Sequence, residues 1–229
     1  MKKLLCIGAT HGDEPIGVEV LRRLEKVATG FDWIIGNPKA FELGTREFEG
    51  DLNRSAPGDL QASTYAKRRA AEILEQTKNY RSTIDLHGTD AHTGIFVIVT
   101  NPKKENLELA IRLGIERIVI WPSFSPELQG PLSEYFPCGV EIECGPQKMP
   151  MIQTKLLRIL ETFLRKLPQN KTEQTFYEVY GSLKNKKEMV LEEFVPVTID
   201  NETFFPLFLG CEKISGVACF KLRPFTPSI

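Results

Sequence analysis

The stretch Leu4-Leu5-Cys6-Ile7-Gly8-Ala9-Thr10-His11-Gly12-Asp13-Glu14 joins a short apolar run to a polar turn. Residues 4–9 have the length expected of a buried strand. Pro15 suits the first turn of a helix, and apolar residues then recur at helical spacing (Ile16, Val20, Leu24 and Val27). A strand, a polar turn and a helix in this order predict the start of an α/β sheet, whose ligand sites gather beyond the carboxyl ends of its strands.

The same alternation of strands and helices continues to residue 167. Residues 39–58 carry Gly, Pro and charges without a clear period, which predicts an extended loop. The predicted strands are 31–35, 82–86, 94–100, 117–121 and 140–144, and the predicted helices run from Asp59 or Ser63 to about Thr77, over 105–113 and over 151–167.

The pattern changes after Pro168-Gln169-Asn170-Lys171, where short segments rich in Val, Phe and Thr follow. These segments are 176–180, 195–199, 203–209 and 217–222, and their length and composition are typical of strands. The sequence therefore predicts two domains, an α/β domain over residues 1–170 and a small all-β domain over residues 171–229.

The composition is that of an ordinary globular protein, with 229 residues, 41% hydrophobic residues and a formal net charge of −1. This charge argues against a nucleic-acid-binding surface. No run approaches the ~20 apolar residues that cross a bilayer, so no membrane partner is expected. The five cysteines form no CxxC pair, which favours a reduced, cytoplasmic protein.

Three polar residues could form a metal site. His11 and Glu14 follow the first strand, and His87 ends a later predicted strand. Two imidazoles and one carboxylate, with a fourth position open, are a typical catalytic zinc set. Taken singly, each residue has a plain explanation, such as a hydrogen-bonded histidine or a glutamate at a helix start. Their joint presence favours the metal site, and His92, the third histidine, is assigned to a solvated loop.

Further residues could bind or react with a substrate. Glu141 and Glu143 project from the same face of one strand, and either carboxylate could serve as a general base. Arg46 and Arg54 offer guanidinium groups that bind a carboxylate or stabilise an oxyanion. Asp51 could orient a ligand histidine.

These motifs resemble those of the aspartoacylase and succinylglutamate desuccinylase family, relatives of the zinc carboxypeptidases. They come in the family's order and at similar separations over residues 4 to 165. The matching segments are Gly8-Ala9-Thr10-His11-Gly12-Asp13-Glu14, Asn37-Pro38-Lys39-Ala40, Thr45-Arg46, Asp51-Leu52-Asn53-Arg54, Asp85-Leu86-His87-Gly88-Thr89 and Glu143-Cys144-Gly145-Pro146-Gln147.

The resemblance implies a mixed central sheet flanked by helices and one Zn²⁺ per chain. It assigns the metal to His11, Glu14 and His87. It implies that Glu143 activates water and that Arg46 faces the scissile carbonyl. Asn53 and Arg54 then hold the α-carboxylate of the substrate.

The chain departs from the family at two places: an arginine that binds the substrate's side-chain carboxylate, and a tyrosine that reaches the substrate. The arginine that aspartoacylases carry about ten residues before the base falls near Ser133, and no arginine is close. The tyrosine of the C-terminal region has no counterpart in Gly210-Cys211-Glu212-Lys213. A third difference, Asp13 in place of the family's asparagine, is minor.

The resemblance implies a deacylase that cleaves the amide bond of a small N-acyl amino acid, N-acetylaspartate being the best-known case. The sequence leaves open a desuccinylase-like or carboxypeptidase-like hydrolase with another substrate, and an inactive zinc-binding module. It also leaves open a homo-oligomer.

Overall fold

The computed structural model describes residues 2–122, 131–167, 173–184, 190–210 and 217–227. Strands and helices alternate through most of this chain, as the hydrophobic pattern predicts. The elements are β1 (Lys2–Gly8), α1 (Ile16–Leu24), β2 (Asp32–Ile35), α2 (Pro38–Leu43), α3 (Tyr65–Thr77), β3 (Tyr80–Gly88), β4 (Gly94–Val99), α4 (Lys104–Arg112), β5 (Arg117–Ile120), β6 (Gly139–Gly145), α5 (Pro150–Arg165), β7 (Thr175–Leu183), β8 (Val197–Ile199), β9 (Glu202–Leu207) and β10 (Cys219–Pro224).

The strands form one mixed sheet in the order β2-β1-β3-β6-β4-β5-β7-β10-β9-β8. Strands β2, β1, β3 and β6 are parallel, whereas β4 runs antiparallel to β6 and parallel to β5. Gly94 at the start of β4 therefore pairs with Gly145 at the end of β6. The sheet confirms the predicted mixed α/β fold. It also brings the first residues of β4 and β5 to the edge where β1, β3 and β6 end.

Both faces of β1 are buried, which explains its continuous apolar run. Leu4 and Cys6 belong to a core shared with α1 and α5, whereas Leu5 and Ile7 face a second core shared with α3. This alternation follows from the period of two in a strand. Burial on both faces holds the end of β1 rigidly, so that the turn after it has a fixed position.

The predicted extended loop over residues 39–58 is wrong in part. Helix α2 occupies Pro38–Leu43, and a 3-10 turn occupies Leu52–Arg54. The side chain of Asn37 caps α2 by accepting from the Ala40 N–H, and Gly44 ends the helix at a φ of 64°. Proline at the first helical position and glycine after the last are the ordinary signals of a short helix.

The strands after residue 171 extend the central sheet, because β7 pairs in parallel with β5. Their apolar side chains share a core with β4 and β5 that contains Phe96 and Trp121 as well as Leu207 and Phe220. The division into domains at residues 170 and 171 stays a prediction. Within the described ranges, no helix is long and apolar enough to cross a membrane.

Candidate metal centre

Three side chains at the carboxyl ends of β1 and β3 converge on one point. His11 Nδ1 lies 2.9 Å from Glu14 Oε1, and His87 Nδ1 lies 3.1 Å from Glu14 Oε2. Ligand atoms of His11, Glu14 and His87 all lie within 4.8 Å of one another, and all three residues are buried. We call these three residues the metal edge. The third histidine, His92, is exposed and belongs to neither group of described residues that could hold an ion.

Each histidine of the metal edge has a carboxylate behind it. His11 Nε2 lies 3.3 Å from Asp51 Oδ1. His87 Nε2 lies 3.1 Å from Asp85 Oδ2, an ion-pair distance without the alignment of a good hydrogen bond. Asp85 is fully buried and also accepts a hydrogen bond from the Thr10 hydroxyl. Carboxylates in this position fix the orientation and tautomer of ligand histidines.

These contacts change how the histidines bind protons. Burial opposes the charged form of His11, but the Glu14 charge and the hydrogen bonds to Asp51 and Glu14 raise its pKa to about 9. Burial likewise opposes the charged form of His87, but Asp85 and Glu14 raise its pKa well above the usual value. The surrounding carboxylates therefore favour the charged form of both imidazoles.

The polar turn after β1 places Arg46 beside the metal edge. A Cβ atom on Gly12 would lie 2.2 Å from the Ala40 carbonyl carbon, so the close approach of these segments requires glycine. The Gly12 N–H donates to the Arg46 carbonyl, and Arg46 Nη1 donates to Glu14 Oε1 at 3.1 Å. The guanidinium thus reaches the metal edge from the loop that follows α2.

Glu143 faces the metal edge from the neighbouring strand. It pairs in register with His87, and its Oε2 atom is buried without a hydrogen-bond partner among the described residues. Burial, together with the charges of Glu14 and Glu141, raises the pKa of Glu143 to about 8 despite the opposing effect of His87. A carboxyl group of this kind can hold a proton near neutral pH and release it to a bound group.

Glu141 and Glu143 both line the cavity, but their surroundings differ. Glu141 Oε1 accepts a hydrogen bond of 2.8 Å from the Ser133 hydroxyl. Glu141 also forms a second group with Asp85 and His87 whose atoms could hold an ion. The unpartnered Oε2 atom and the register with His87 favour Glu143 as the base.

The 3-10 turn after Asp51 presents a pair of donors. The Asn53 side-chain oxygen Oδ1 accepts from the Leu132 N–H, so among the described residues its amide nitrogen stays available as a donor. Asn53 is buried, whereas Arg54 is exposed and lines the same cavity. An amide N–H group and a guanidinium side by side are suited to a carboxylate ligand.

One cavity of about 1080 Å³ is lined by the metal edge and by Arg46, Asp51, Asn53, Arg54, Glu141 and Glu143. Another part of the lining, which we call the far wall, lies in or next to the core of the C-terminal strands and consists of Trp121, Glu193, Phe208 and Phe220. Arg117 also lines the cavity, and neither it nor the far wall is indicated by any motif in the sequence. The Gly210-Cys211-Glu212-Lys213 segment lies outside the described residues from Cys211 onward.

The donor set of the metal edge fits a zinc ion. It supplies two imidazole nitrogens and a carboxylate, each imidazole is backed by an aspartate, and the unpartnered Glu143 oxygen faces the same space. Nitrogen and oxygen ligands of this kind, with space for a further ligand, are those of catalytic zinc sites.

Comparisons with known proteins agree with the fold and identify the family. Residues 1–168 match the succinylglutamate desuccinylase/aspartoacylase catalytic domain. The chain is 30% identical over 192 residues to a probable aspartoacylase of Prochlorococcus marinus, an alignment that covers 75% of this chain and 64% of the relative. A probable aspartoacylase of Trichodesmium erythraeum is 30% identical over 175 residues, which cover 68% of this chain and 60% of the relative. The matches thus span less than two thirds of these relatives.

Solved structures share the fold over nearly the whole chain. Murine aminoacylase 3 superposes with a TM-score of 0.79 at 18% identity, over 97% of this chain and 95% of the aminoacylase chain. Succinylglutamate desuccinylase from Chromobacterium violaceum superposes with a TM-score of 0.75 at 17% identity, over 100% of this chain and 86% of the desuccinylase chain. With the family match over residues 1–168, the chain belongs to the succinylglutamate desuccinylase/aspartoacylase family.

Proposed function

We propose that this chain is a zinc-dependent hydrolase that cleaves the amide bond of an N-acyl amino acid. The observation that carries the proposal is the convergence of the metal edge, Arg46 and the unpartnered Glu143 oxygen in one cavity. Family membership supports the reaction class.

The metal edge would hold one Zn²⁺, which supplies Lewis acidity toward a carbonyl and toward water. Arg46 donates to the oxygen of the scissile carbonyl as negative charge develops there, which requires its guanidinium to exchange its contact with Glu14 for the substrate. Glu143 takes a proton from the attacking water at Oε2 and passes it to the nitrogen of the leaving amine.

The substrate is held by its α-carboxylate. The amide nitrogen of Asn53 and the guanidinium of Arg54 bind this group at the side of the cavity. This anchor fixes the position of the acyl group relative to Arg46 and Glu143. Every N-acyl amino acid has both the amide bond that is cleaved and the α-carboxylate that is bound, so the substrate's side chain is not specified by these contacts.

The cellular setting is part of the same proposal. The described cysteines Cys6, Cys138, Cys144 and Cys219 are free thiols, which fits a reducing, cytoplasmic location. The partner that we propose is a small molecule.

The direct test is a substrate screen. The zinc-loaded chain is incubated with N-acetyl and N-succinyl derivatives of acidic, neutral and basic amino acids, and the released amine is measured. We expect turnover of at least one derivative and none after the metal is removed by a chelator. Absence of turnover on every derivative, with bound zinc confirmed, would contradict the deacylase proposal.

A further inference from the structure

Glu141 is a buried carboxylate of the cavity that the proposed reaction does not use. It precedes Glu143 by two positions on β6, so both side chains point to the same face of the sheet and their backbones lie about 7 Å apart. The residue is 5% exposed and lines the cavity that contains the metal edge. A carboxylate that is removed from water in this way needs partners to offset its desolvation.

A short chain of hydroxyl groups fixes one oxygen of Glu141 as an acceptor. The Ser133 hydroxyl donates to Glu141 Oε1 at 2.8 Å, and the Thr100 hydroxyl lies 3.0 Å from that of Ser133. Since the Ser133 proton is directed at the carboxylate, Thr100 must be the donor to Ser133. Among the described residues, no hydroxyl or N–H group donates to the other oxygen of Glu141, Oε2. Glu141 lines the cavity, so this oxygen is available to a ligand there.

The same loop connects Glu141 to the proposed α-carboxylate anchor. The Leu132 N–H donates to Asn53 Oδ1, and the next residue, Ser133, donates to Glu141. Two neighbouring residues, Leu132 and Ser133, therefore hydrogen-bond to Asn53 and to Glu141, which both line the cavity. A substrate whose α-carboxylate is bound by Asn53 carries its side chain within reach of Glu141.

The charges of the cavity do not favour a second carboxylate on the substrate. Of the arginines that line it, Arg46 pairs with Glu14, and Arg54 belongs to the α-carboxylate anchor. Arg117 lies 4.6 Å from the centre of the Phe194 ring and donates to the Thr93 carbonyl. The cavity also contains the exposed Glu192. An acidic side chain would thus meet carboxylates, whereas an ammonium group would complement them.

We propose that Glu141, positioned by Ser133, determines the substrate's side chain and selects an N-acyl amino acid with a cationic side chain over one with an acidic side chain. This inference rests on the proposed function, because the anchor at Asn53 and Arg54 defines where the side chain begins. The open carboxylate oxygen accepts hydrogen bonds from the ammonium group and repels a carboxylate of similar length.

The test compares substrates of similar size and different charge. The rate constant kcat/KM is measured for Nα-acetyl-L-ornithine, Nα-acetyl-L-glutamine and N-acetyl-L-glutamate with the zinc-loaded wild-type chain and with Glu141→Gln. We expect the wild type to prefer the ornithine derivative over the glutamate derivative. In Glu141→Gln this preference should fall about 10- to 100-fold, the effect of a lost hydrogen bond to a charged group.

Two further variants separate a local effect from general ones. Glu192→Gln removes the same charge from an exposed residue of the cavity and should change the preference less than about threefold, as expected of a screened surface charge. Ser133→Ala leaves Glu141 in place without its donor and should lower the preference in the same direction as Glu141→Gln. It serves as the test if Glu141→Gln does not fold.

Calorimetric binding of free ornithine and free glutamate to the zinc-loaded chain distinguishes failure of the inference from failure of the proposed function. Tighter binding of ornithine that depends on Glu141, in a chain without turnover, would refute the hydrolase and retain the subsite. A wild type that prefers the glutamate derivative would overturn the inference, as would an equal loss on all three substrates in Glu141→Gln.

Discussion

The metal edge and the far wall bound the same cavity, but the sequence encodes them in different ways. The metal edge consists of polar residues in short motifs at the carboxyl ends of parallel strands. The far wall consists mainly of apolar residues that follow β5, lie on β10 or follow β9, and they meet only when the C-terminal strands join the sheet. A motif can therefore indicate the chemistry of the cavity, whereas its shape depends on contacts between distant segments.

This difference predicts that substitutions at the two sides have separable consequences. Changes next to the metal edge should reduce the reaction and leave the fold intact. Changes in the core behind the far wall should reduce stability and leave metal binding intact.

The largest effect is expected for Glu143→Gln. The amide has the shape of the carboxylate but cannot accept the proton, so kcat should fall by about 10²- to 10⁴-fold. Zinc content, measured on the same preparation, should be retained because the metal edge is unchanged. The control is Glu42→Gln, on an exposed position of α2. If Glu143→Gln kept wild-type activity, the base would be misassigned, and Glu141 would become the alternative.

Leu207→Ala tests the far-wall side of the comparison. Leu207 is fully buried and pairs with Phe220 across β9 and β10. Its truncation leaves a cavity in the core, so the free energy of unfolding in urea should fall by about 2–5 kcal/mol. Zinc affinity under folding conditions should change little.

The control for this variant is Leu43→Ala. Leu43 is 62% exposed, and its truncation should change the free energy of unfolding by less than about 0.5 kcal/mol. A large loss of zinc affinity in Leu207→Ala would show that the two sides of the cavity are coupled.

A smaller effect is expected from the titration of Glu193 in the far wall. Burial raises its pKa from 4.5 to about 7, although the N–H groups of Leu209 and Phe208 and the charge of Arg117 act against this. The pKa of Glu193 is higher in the folded than in the unfolded chain, so the folded state is favoured when this side chain is protonated. This contribution to the free energy of unfolding is complete below pH 4.5 and is lost as the pH rises through about 7.

The measurement is the free energy of unfolding of the wild type and of Glu193→Gln at several pH values. Glutamine does not titrate, so between roughly pH 5 and pH 8 the difference should shift in favour of the variant by about 1–3 kcal/mol. The comparison at two pH values cancels the constant cost of the altered hydrogen bonds. A difference that does not change with pH would refute the role of Glu193 burial.

The sequence predicts most of the strands because each is a short apolar run of the right length. The same runs do not state a strand's direction, so the antiparallel position of β4 between β6 and β5 could not be predicted. That reversal is what brings Arg117, the first residue of β5, into the cavity. Helix α2 had local signals in Asn37-Pro38 and Gly44, but the lack of a long hydrophobic period obscured them.

The residues of the candidate site that lie in short local motifs could be predicted from the sequence. His11, Glu14 and His87 stand next to strand ends, and their positions at one edge follow from parallel strands. Asp85 could have been predicted as a partner of His87, because it lies two residues earlier on the same face of β3. Glu193 has no such signal, because its place in the cavity depends on how residues 190–210 pack against β4 and β5.

The most direct test of the metal edge is the zinc content of the wild-type chain and of His87→Ala after incubation with zinc and gel filtration. The account predicts one bound zinc per chain in the wild type and the loss of both zinc and turnover in His87→Ala, while the control His92→Ala retains its zinc. Stoichiometric zinc in His87→Ala would contradict the account, because the ion would then be held elsewhere.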